Sequence, residues 1–209
     1  MAGSPRVPPT PAAGHRPRAA GATWLVCGLG NPGAEYEATR HSVGHMVVDE
    51  LAARAGERFR RVRFVPASTA EVREGAERLV LAKSERYMNE SGPSFASLAR
   101  RHDVPPERVI AVHDDLDLAF ASLRVKLGGG AAGHNGLRSL QSALGTPQFL
   151  RVRLGIGRPP GRQDPADFVL EPFARRERDD VEVLVREAAD AVLSLVRDGV
   201  ESTQGRFNR

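Results

Sequence analysis

The sequence predicts an α/β fold, in which a single domain is built on a mixed, twisted β-sheet covered by helices on both faces. Apolar stretches of strand length alternate with segments whose apolar residues recur every three or four positions. Two strands are separated only by Glu74-Gly75, which indicates an antiparallel hairpin, so the sheet is expected to be mixed. The 209 residues, 41% hydrophobic and 27% charged, can bury one sizeable core.

The first two predicted elements are a strand and an amphipathic helix. Residues 24–29 form an apolar strand that ends in a glycine-rich turn. Residues 42–55 form a helix, because Val43, Val47 and Leu51 recur on one helical face. The remaining predicted elements continue the alternation: strands 62–72 and 78–82, a helix 91–102, strands 108–113 and 123–127, a helix 135–144, a strand 149–156 and a final helix 175–197.

The two ends of the chain are expected to lie outside the domain. Residues 1–22 contain five prolines and three arginines but no acidic residue, a composition that cannot bury a core and predicts a disordered tail. This tail lacks the apolar stretch of a signal peptide, and its prolines would break a presequence helix, although a transit segment remains an alternative. The domain is expected over residues 23–200, followed by a C-terminal tail over 201–209.

Charge and cysteine content narrow the functional classes. Three positive charges of the formal net charge of +4 belong to the tail, so global charge does not predict nucleic-acid binding. Locally, two predicted strands carry basic residues at alternate positions, Arg124 with Lys126 and Arg151 with Arg153. The two residues of each pair therefore share one face of the strand, where they either contact phosphate or are ordinary solvated charges. The single cysteine, Cys27, excludes an internal disulfide or a cysteine metal cluster and indicates a reducing compartment. No apolar run is long enough to span a membrane.

The turn after the first strand, Gly28-Leu-Gly-Asn-Pro-Gly33, matches the glycine spacing of a dinucleotide-binding turn. Two observations argue against that interpretation. The acidic residue expected about 20 positions on falls in the predicted helix 42–55, not at the end of a second strand. Pro32 also removes a backbone N–H where a pyrophosphate would need a donor. The turn is therefore more informative for the side chain that it presents, Asn31.

Polar residues follow several predicted strands, where ligand crevices open in α/β sheets. His41 is the candidate general base, because an imidazole titrates near neutrality, and Asp114 could fix its tautomer. Each residue alone also has an ordinary structural interpretation, such as Asn89 capping the following helix. The polar groups at strand ends are Asn31 and His41; Tyr87-Met88-Asn89; His113-Asp114-Asp115; and the glycine-rich segment 128–136 with His134-Asn135.

Taken in order, these motifs resemble bacterial peptidyl-tRNA hydrolases over about residues 24–200. The motifs that carry the resemblance are Gly28-Leu-Gly-Asn-Pro-Gly33, Tyr36, Thr39-Arg-His41, Met88-Asn89, His113-Asp-Asp-Leu-Asp117, Lys126-Leu-Gly-Gly-Gly130, Gly133-His-Asn-Gly-Leu137 and Arg153-Leu-Gly-Ile-Gly157. The resemblance implies an esterase that cleaves peptide from the 3′ ribose of peptidyl-tRNA and so recycles tRNA released from stalled ribosomes.

The resemblance also implies roles for individual residues. His41 matches the base that activates water, and Asp114 matches its carboxylate partner. The implied peptide-binding positions are Asn31, Tyr36, Met88, Asn89 and Asn135, and the implied phosphate contacts are Arg124, Lys126, Arg151 and Arg153. Neither a metal nor another cofactor is implied, since an ester needs only activated water and donors for the developing oxyanion. The expected partner is peptidyl-tRNA, and the expected state is a cytoplasmic monomer without membrane contact.

Two local departures from the family pattern concern fine positioning and loop mobility. Ser42 stands where bacterial members often have asparagine, and Ala131-Ala132 occupy a loop that is usually richer in glycine or histidine. Two other functions remain open. One is a non-catalytic binding protein on the same fold, as in the plant organelle relatives that assist intron splicing; the other is a dinucleotide-dependent oxidoreductase. The presence of His41, Asp114 and the asparagines favours the hydrolase.

Overall fold

The computed structural model describes residues 21–208, so the predicted disordered tail 1–22 lies outside the described residues except for its last two positions. The described chain forms a mixed seven-stranded sheet in the order β2-β3-β4-β1-β5-β7-β6. The strands are β1 Thr23–Gly28, β2 Arg60–Arg61, β3 Ala67–Glu74, β4 Glu77–Ser84, β5 Val109–Asp115, β6 Leu123–Leu127 and β7 Leu150–Gly155. This architecture confirms the predicted fold class.

Strand direction divides the sheet into a parallel centre and antiparallel edges. Strands β4, β1, β5 and β7 run parallel, so their carboxyl ends meet at one edge of the sheet. Strand β3 pairs antiparallel with β4 through the predicted hairpin, where Gly75 takes a φ of 58°. Strand β6 pairs antiparallel with β7. The parallel centre therefore creates the crevice in which a site was expected.

Helices cover both faces of the sheet because the central strands are apolar on both sides. In β1, Trp24 and Val26 face one hydrophobic cluster, whereas Leu25 and the fully buried Cys27 face the other. Helices α1 and α5 pack in the first cluster, and α2 and α3 pack in the second. The helices are α1 Val43–Arg54, α2 Gly92–Arg101, α3 Asn135–Leu144, α4 Pro165–Val169, α5 Arg178–Asp198 and α6 Val200–Phe207.

The C-terminal segment is structured where the sequence predicted only a tail. Helix α6 begins after Gly199, which has a φ of 84° and ends α5. The segment covers the outer edge of β6, where the side chain of Asn208 accepts a hydrogen bond from Val125 N at 2.6 Å and donates one to Val125 O at 2.9 Å. Gln204 also donates to Val125 O at 3.0 Å. Only Val200 and Phe207 of this segment pack against the hydrophobic core, and its other contacts are largely polar, so apolar periodicity did not reveal it.

Among residues 21–208, no helix combines the length and apolar character needed to cross a membrane.

Candidate active site

A pocket of about 740 Å³ opens where the carboxyl ends of the central strands meet. Segments that follow β1, β4 and β5 converge on it, together with the glycine-rich loop before α3 and helix α4. Tyr36 and Arg124 do not line the pocket. The predicted site residues that do line it are Asn31, His41, Met88, Asn89, Asp114, Lys126, Asn135, Arg151 and Arg153.

His41 and Asp114 form a hydrogen-bonded pair in the pocket. His41 Nδ1 lies 2.9 Å from Asp114 Oδ1 and 3.1 Å from Oδ2, and the two residues are 9% and 3% exposed. A carboxylate can only accept, so Nδ1–H donates, and Nε2 keeps the lone pair that a general base needs.

The two groups shift each other's pKa. Burial alone would lower the pKa of His41, but the charge and hydrogen bond of Asp114 raise it above its ordinary value. Burial opposes ionisation of Asp114, yet His41 and His134 hold the pKa of that carboxyl well below its usual range. The carboxylate therefore stays charged and is available to stabilise an imidazolium.

His134 is a second partner of Asp114 that sequence reasoning did not assign. Its Nδ1 accepts hydrogen bonds from the backbone N–H groups of Gly136 and Leu137 at the start of α3, at 3.2 and 3.3 Å. Nε2 therefore carries the proton and donates it to Asp114 Oδ1 at 3.0 Å. The ring lies 4.8 Å from that of His41, centroid to centroid. The position of His134 just before a predicted helix was a sequence signal for a helix-capping role. Its contact with Asp114 depends on the fold and could not be predicted from the sequence.

The group of His41, Asp114 and His134 also has the composition of a metal site, with one potential ligand atom from each lying within 4.8 Å of the others. A metal ligand must present an unprotonated nitrogen. The nitrogens that face Asp114 act instead as N–H donors, and the other ring nitrogen of His134 accepts from the backbone. The donor arrangement therefore fits a hydrogen-bonded catalytic group better than a metal centre.

The glycine-rich turn after β1 fixes the orientation of Asn31. Asn31 Oδ1 accepts a hydrogen bond from Met88 N at 2.8 Å, which leaves the amide NH₂ as its donor. A Cβ atom at Gly30 would lie 2.6 Å from the ring of His45, and Gly33 has a φ of 112°. The glycines are thus required for the shape of the turn.

The other predicted peptide-binding residues surround this turn. Met88 is buried, and the Tyr36 ring packs edge-on against Tyr87 with a centroid distance of 6.3 Å. Asn89 is exposed and does not cap α2, whose N-cap residue is Ser91. Asn135 is exposed at the start of α3 and accepts a hydrogen bond from Arg138 at 3.3 Å. The capping alternative for Asn89 is therefore wrong.

The four basic strand residues share one face of the β6–β7 ladder, but one of them is buried. Arg124 pairs in register with Arg153, and Lys126 with Arg151. Arg153 also donates to Asp115 at 2.8 Å. Arg151 is only 2% exposed and donates to the carbonyls at 129 and 130. These hydrogen bonds hold the glycine-rich loop, and the phosphate contact of Arg151 stays a prediction.

The two departures from the family pattern have local consequences. Ser42 is fully buried, and its Oγ lies 3.3 Å from Thr39 Oγ1, within the turn that carries His41. Ala132 has a φ of 46°, a left-handed conformation that favours glycine. The loop thus carries backbone strain directly before His134.

Comparison with known proteins agrees with this geometry. The peptidyl-tRNA hydrolase family model matches residues 25–209. The peptidyl-tRNA hydrolase of Nocardia farcinica is 55% identical over 184 residues, covering 88% of this chain and 95% of the relative. The relative from Kineococcus radiotolerans is 55% identical over 192 residues, covering 88% and 96%. The crystal structure of the Acinetobacter baumannii peptidyl-tRNA hydrolase superposes with a TM-score of 0.83 at 31% identity, covering 89% of this chain and 94% of that one. The chain therefore belongs to the peptidyl-tRNA hydrolase family.

Proposed function

We propose that the protein hydrolyses the ester between peptide and 3′ ribose in peptidyl-tRNA, with His41 as the general base and Asp114 as the group that orients it. The observation that carries the mechanism is the 2.9 Å contact between His41 Nδ1 and Asp114 Oδ1 inside the pocket. This contact directs the unprotonated Nε2 away from the carboxylate, where it can accept a proton from water.

The reaction needs one proton relay and no cofactor. His41 Nε2 takes a proton from water as the water oxygen attacks the ester carbonyl, and the charge that develops on the imidazole is stabilised by Asp114. The imidazolium then returns the proton to the departing ribose oxygen. Amide N–H groups near the carbonyl stabilise the oxyanion, and we assign this role to the side chains of Asn31 and Asn135.

The peptide is proposed to lie along the residues that follow β1 and β4. Asn31 supports this assignment, since Met88 N fixes its amide and leaves the NH₂ group as a donor. Asn89 and Asn135 offer further amides at the pocket wall, and Met88 offers apolar contact. We assign Tyr36 to the outer end of this subsite, and its packing against the pocket residue Tyr87 supports the assignment.

The tRNA backbone is proposed to contact the basic face of β6 and β7. Lys126 and Arg153 line the pocket, and Arg124 lies directly opposite Arg153 on the same face. Backbone recognition suits an enzyme that accepts many tRNAs, because phosphate contacts carry no base information.

We extend the proposal to a monomer that acts in the cytoplasm. The family resemblance supports the monomer, and the single buried cysteine fits a reducing compartment in which translation occurs. Sedimentation of the purified chain over a concentration series tests the oligomeric state.

Hydrolysis of N-acetylaminoacyl-tRNA by the wild type and by His41→Ala tests the function directly. We expect the substitution to lower kcat by roughly 10²- to 10⁴-fold, the usual contribution of a positioned base, while the circular dichroism spectrum stays unchanged. A folded His41→Ala protein with wild-type turnover would refute the mechanism. A wild type that binds peptidyl-tRNA without cleaving it would instead favour the non-catalytic binding function.

A further inference from the structure

The residue directly before the catalytic histidine is a buried arginine. Arg40 is 5% exposed, and its Nη2 donates to Glu177 Oε2 at 2.9 Å. The guanidinium carbon lies 4.4 Å from the ring centroid of Phe168 and 4.9 Å from that of Phe173. Arg40 is thus held by two aromatic rings and one carboxylate, all from the chain that follows β7.

The backbone around Arg40 is joined to the same part of the chain. Arg40 N donates to Glu171 O at 3.0 Å, and Phe173 N donates to Ala38 O at 3.3 Å. Thr39 forms an antiparallel bridge with Pro172. The segment that delivers His41 is therefore fixed, by backbone and side chain together, to the connection between α4 and α5.

The helix that precedes this connection, α4, forms part of the pocket lining. Helix α4 contributes Pro165, Ala166 and Val169 to the lining, while Phe168 of the same helix packs against Arg40. One set of contacts therefore fixes the position of the general base relative to the part of the pocket lining that α4 contributes.

Stability alone does not account for an arginine at this position. Its Nε and Nη1 atoms are buried without a hydrogen-bond partner among the described residues, which costs free energy. Replacing a buried ion pair by an apolar residue of similar size is often neutral or stabilising. A planar, charged guanidinium does have one advantage over an apolar side chain: it is locked by stacking and by Glu177 at the same time.

We propose that Arg40 is a positioning residue, which holds His41 against Asp114 and couples it to α4 through Phe168, Phe173 and Glu177. The inference rests on the proposed function, because it assigns Arg40 a role through His41. Arg40 itself touches neither the substrate nor the reacting atoms.

The test compares Arg40→Met, Glu177→Gln and the double variant in hydrolysis of N-acetylaminoacyl-tRNA. We expect Arg40→Met to keep the wild-type unfolding temperature but to lower kcat by roughly 10- to 100-fold, the effect of a small misplacement of a reacting group. KM should change by less than about twofold, since no substrate contact is lost. The double variant should be little worse than either single variant, because both act through one contact. Arg197→Met removes ion pairs with Glu74 and Asp198 far from the pocket lining and serves as the control with wild-type kinetics.

A second readout separates positioning from general destabilisation. Asp114 and His134 are the titratable groups that face His41, and loosening the contact with Asp114 lowers the pKa of His41. The acid limb of the pH–kcat profile and the NMR titration of the His41 ring should both move to lower pH in Arg40→Met.

The outcomes distinguish failure of the positioning role of Arg40 from failure of the proposed function. A folded Arg40→Met protein with wild-type kcat and an unshifted acid limb overturns the positioning role. The proposed function is still supported in that case if the wild type cleaves the substrate and His41→Ala does not. Equal inactivity of the wild type and His41→Ala would mean that the proposed function itself fails. If Arg40→Met does not fold, the kcat and acid limb of Glu177→Gln decide the positioning role by the same criteria.

Discussion

Asp114 accepts hydrogen bonds from two histidines that have different roles. His41 presents a free Nε2 to the pocket, whereas both ring nitrogens of His134 are occupied, one by Asp114 and one by the amides at the start of α3. His134 therefore cannot serve as the base in this arrangement. Its donated hydrogen bond stabilises the Asp114 carboxylate and so moderates the pull of that carboxylate on the His41 proton.

The substitution His134→Asn distinguishes the two roles of His134, as the residue that caps α3 and as a hydrogen-bond donor to Asp114. Asparagine is a good helix N-cap, so α3 should still begin at the same point, but its side chain is too short to reach Asp114. With one donor lost, Asp114 should hold the His41 proton more strongly and raise the pKa of His41 further. Because the base works only when unprotonated, activity is lost as pH falls through that pKa, and the acid limb should move to higher pH. A pH–kcat profile checks this, and a limb that stays in place or moves down would contradict it.

Most predicted secondary-structure elements agree with the structure to within three residues at each end, but the strand predicted over 62–72 begins five residues later, as β3 Ala67–Glu74. The short or polar elements were not predicted. Helix α3 and strand β6 occupy the predicted ranges 135–144 and 123–127. Helix α4 has only five residues, and α6 packs only Val200 and Phe207 against the core, so neither had a clear periodic signal. The alternation of basic residues correctly predicted that those on β6 and β7 share one face. The burial of Arg151 beneath the glycine-rich loop depends on tertiary packing and could not be predicted from the sequence.

The β6–β7 ladder allows the exposed and buried basic residues to be distinguished by experiment. Measured in a His41→Ala background, Lys126→Ala should reduce the slope of log affinity for tRNA against log salt by about one, because one phosphate contact is lost. Arg151→Met should leave the slope unchanged, since its guanidinium bonds the loop carbonyls. In the active protein, Arg151→Met should instead lower kcat, because the loop that carries His134 and Asn135 loses its support. Equal loss of slope in both variants would instead show that Arg151 contacts phosphate as well.

At the scale of the whole molecule, the two edges of the sheet are the places where another chain could pair and cause aggregation. One edge strand, β2, has two residues, both exposed arginines, which discourages pairing with another chain. The other edge, β6, is covered by the C-terminal segment, where the carboxamide of Asn208 pairs with both backbone groups of Val125 as a neighbouring strand would.

Asn208→Ala should therefore weaken both stability and solubility. Losing two hydrogen bonds should cost about 1 to 3 kcal/mol and lower the unfolding temperature by several degrees. The freed edge of β6 should also promote association at high protein concentration. Thermal unfolding and light scattering measure the two effects, with Glu201→Ala, at an exposed position of the preceding helix α6, as the control. An unchanged unfolding temperature would show that the pairing is not stabilising.

The burial of Cys27 has a practical consequence. It is the chain's only cysteine, it is fully inaccessible, and burial raises the pKa of its thiol. Thiol-directed reagents react with the thiolate, so the folded protein is inert towards them without any engineering. A cysteine placed at the exposed pocket residue Tyr87 would be the single reactive thiol, and a fluorophore attached there could report tRNA arrival and departure at the pocket in real time.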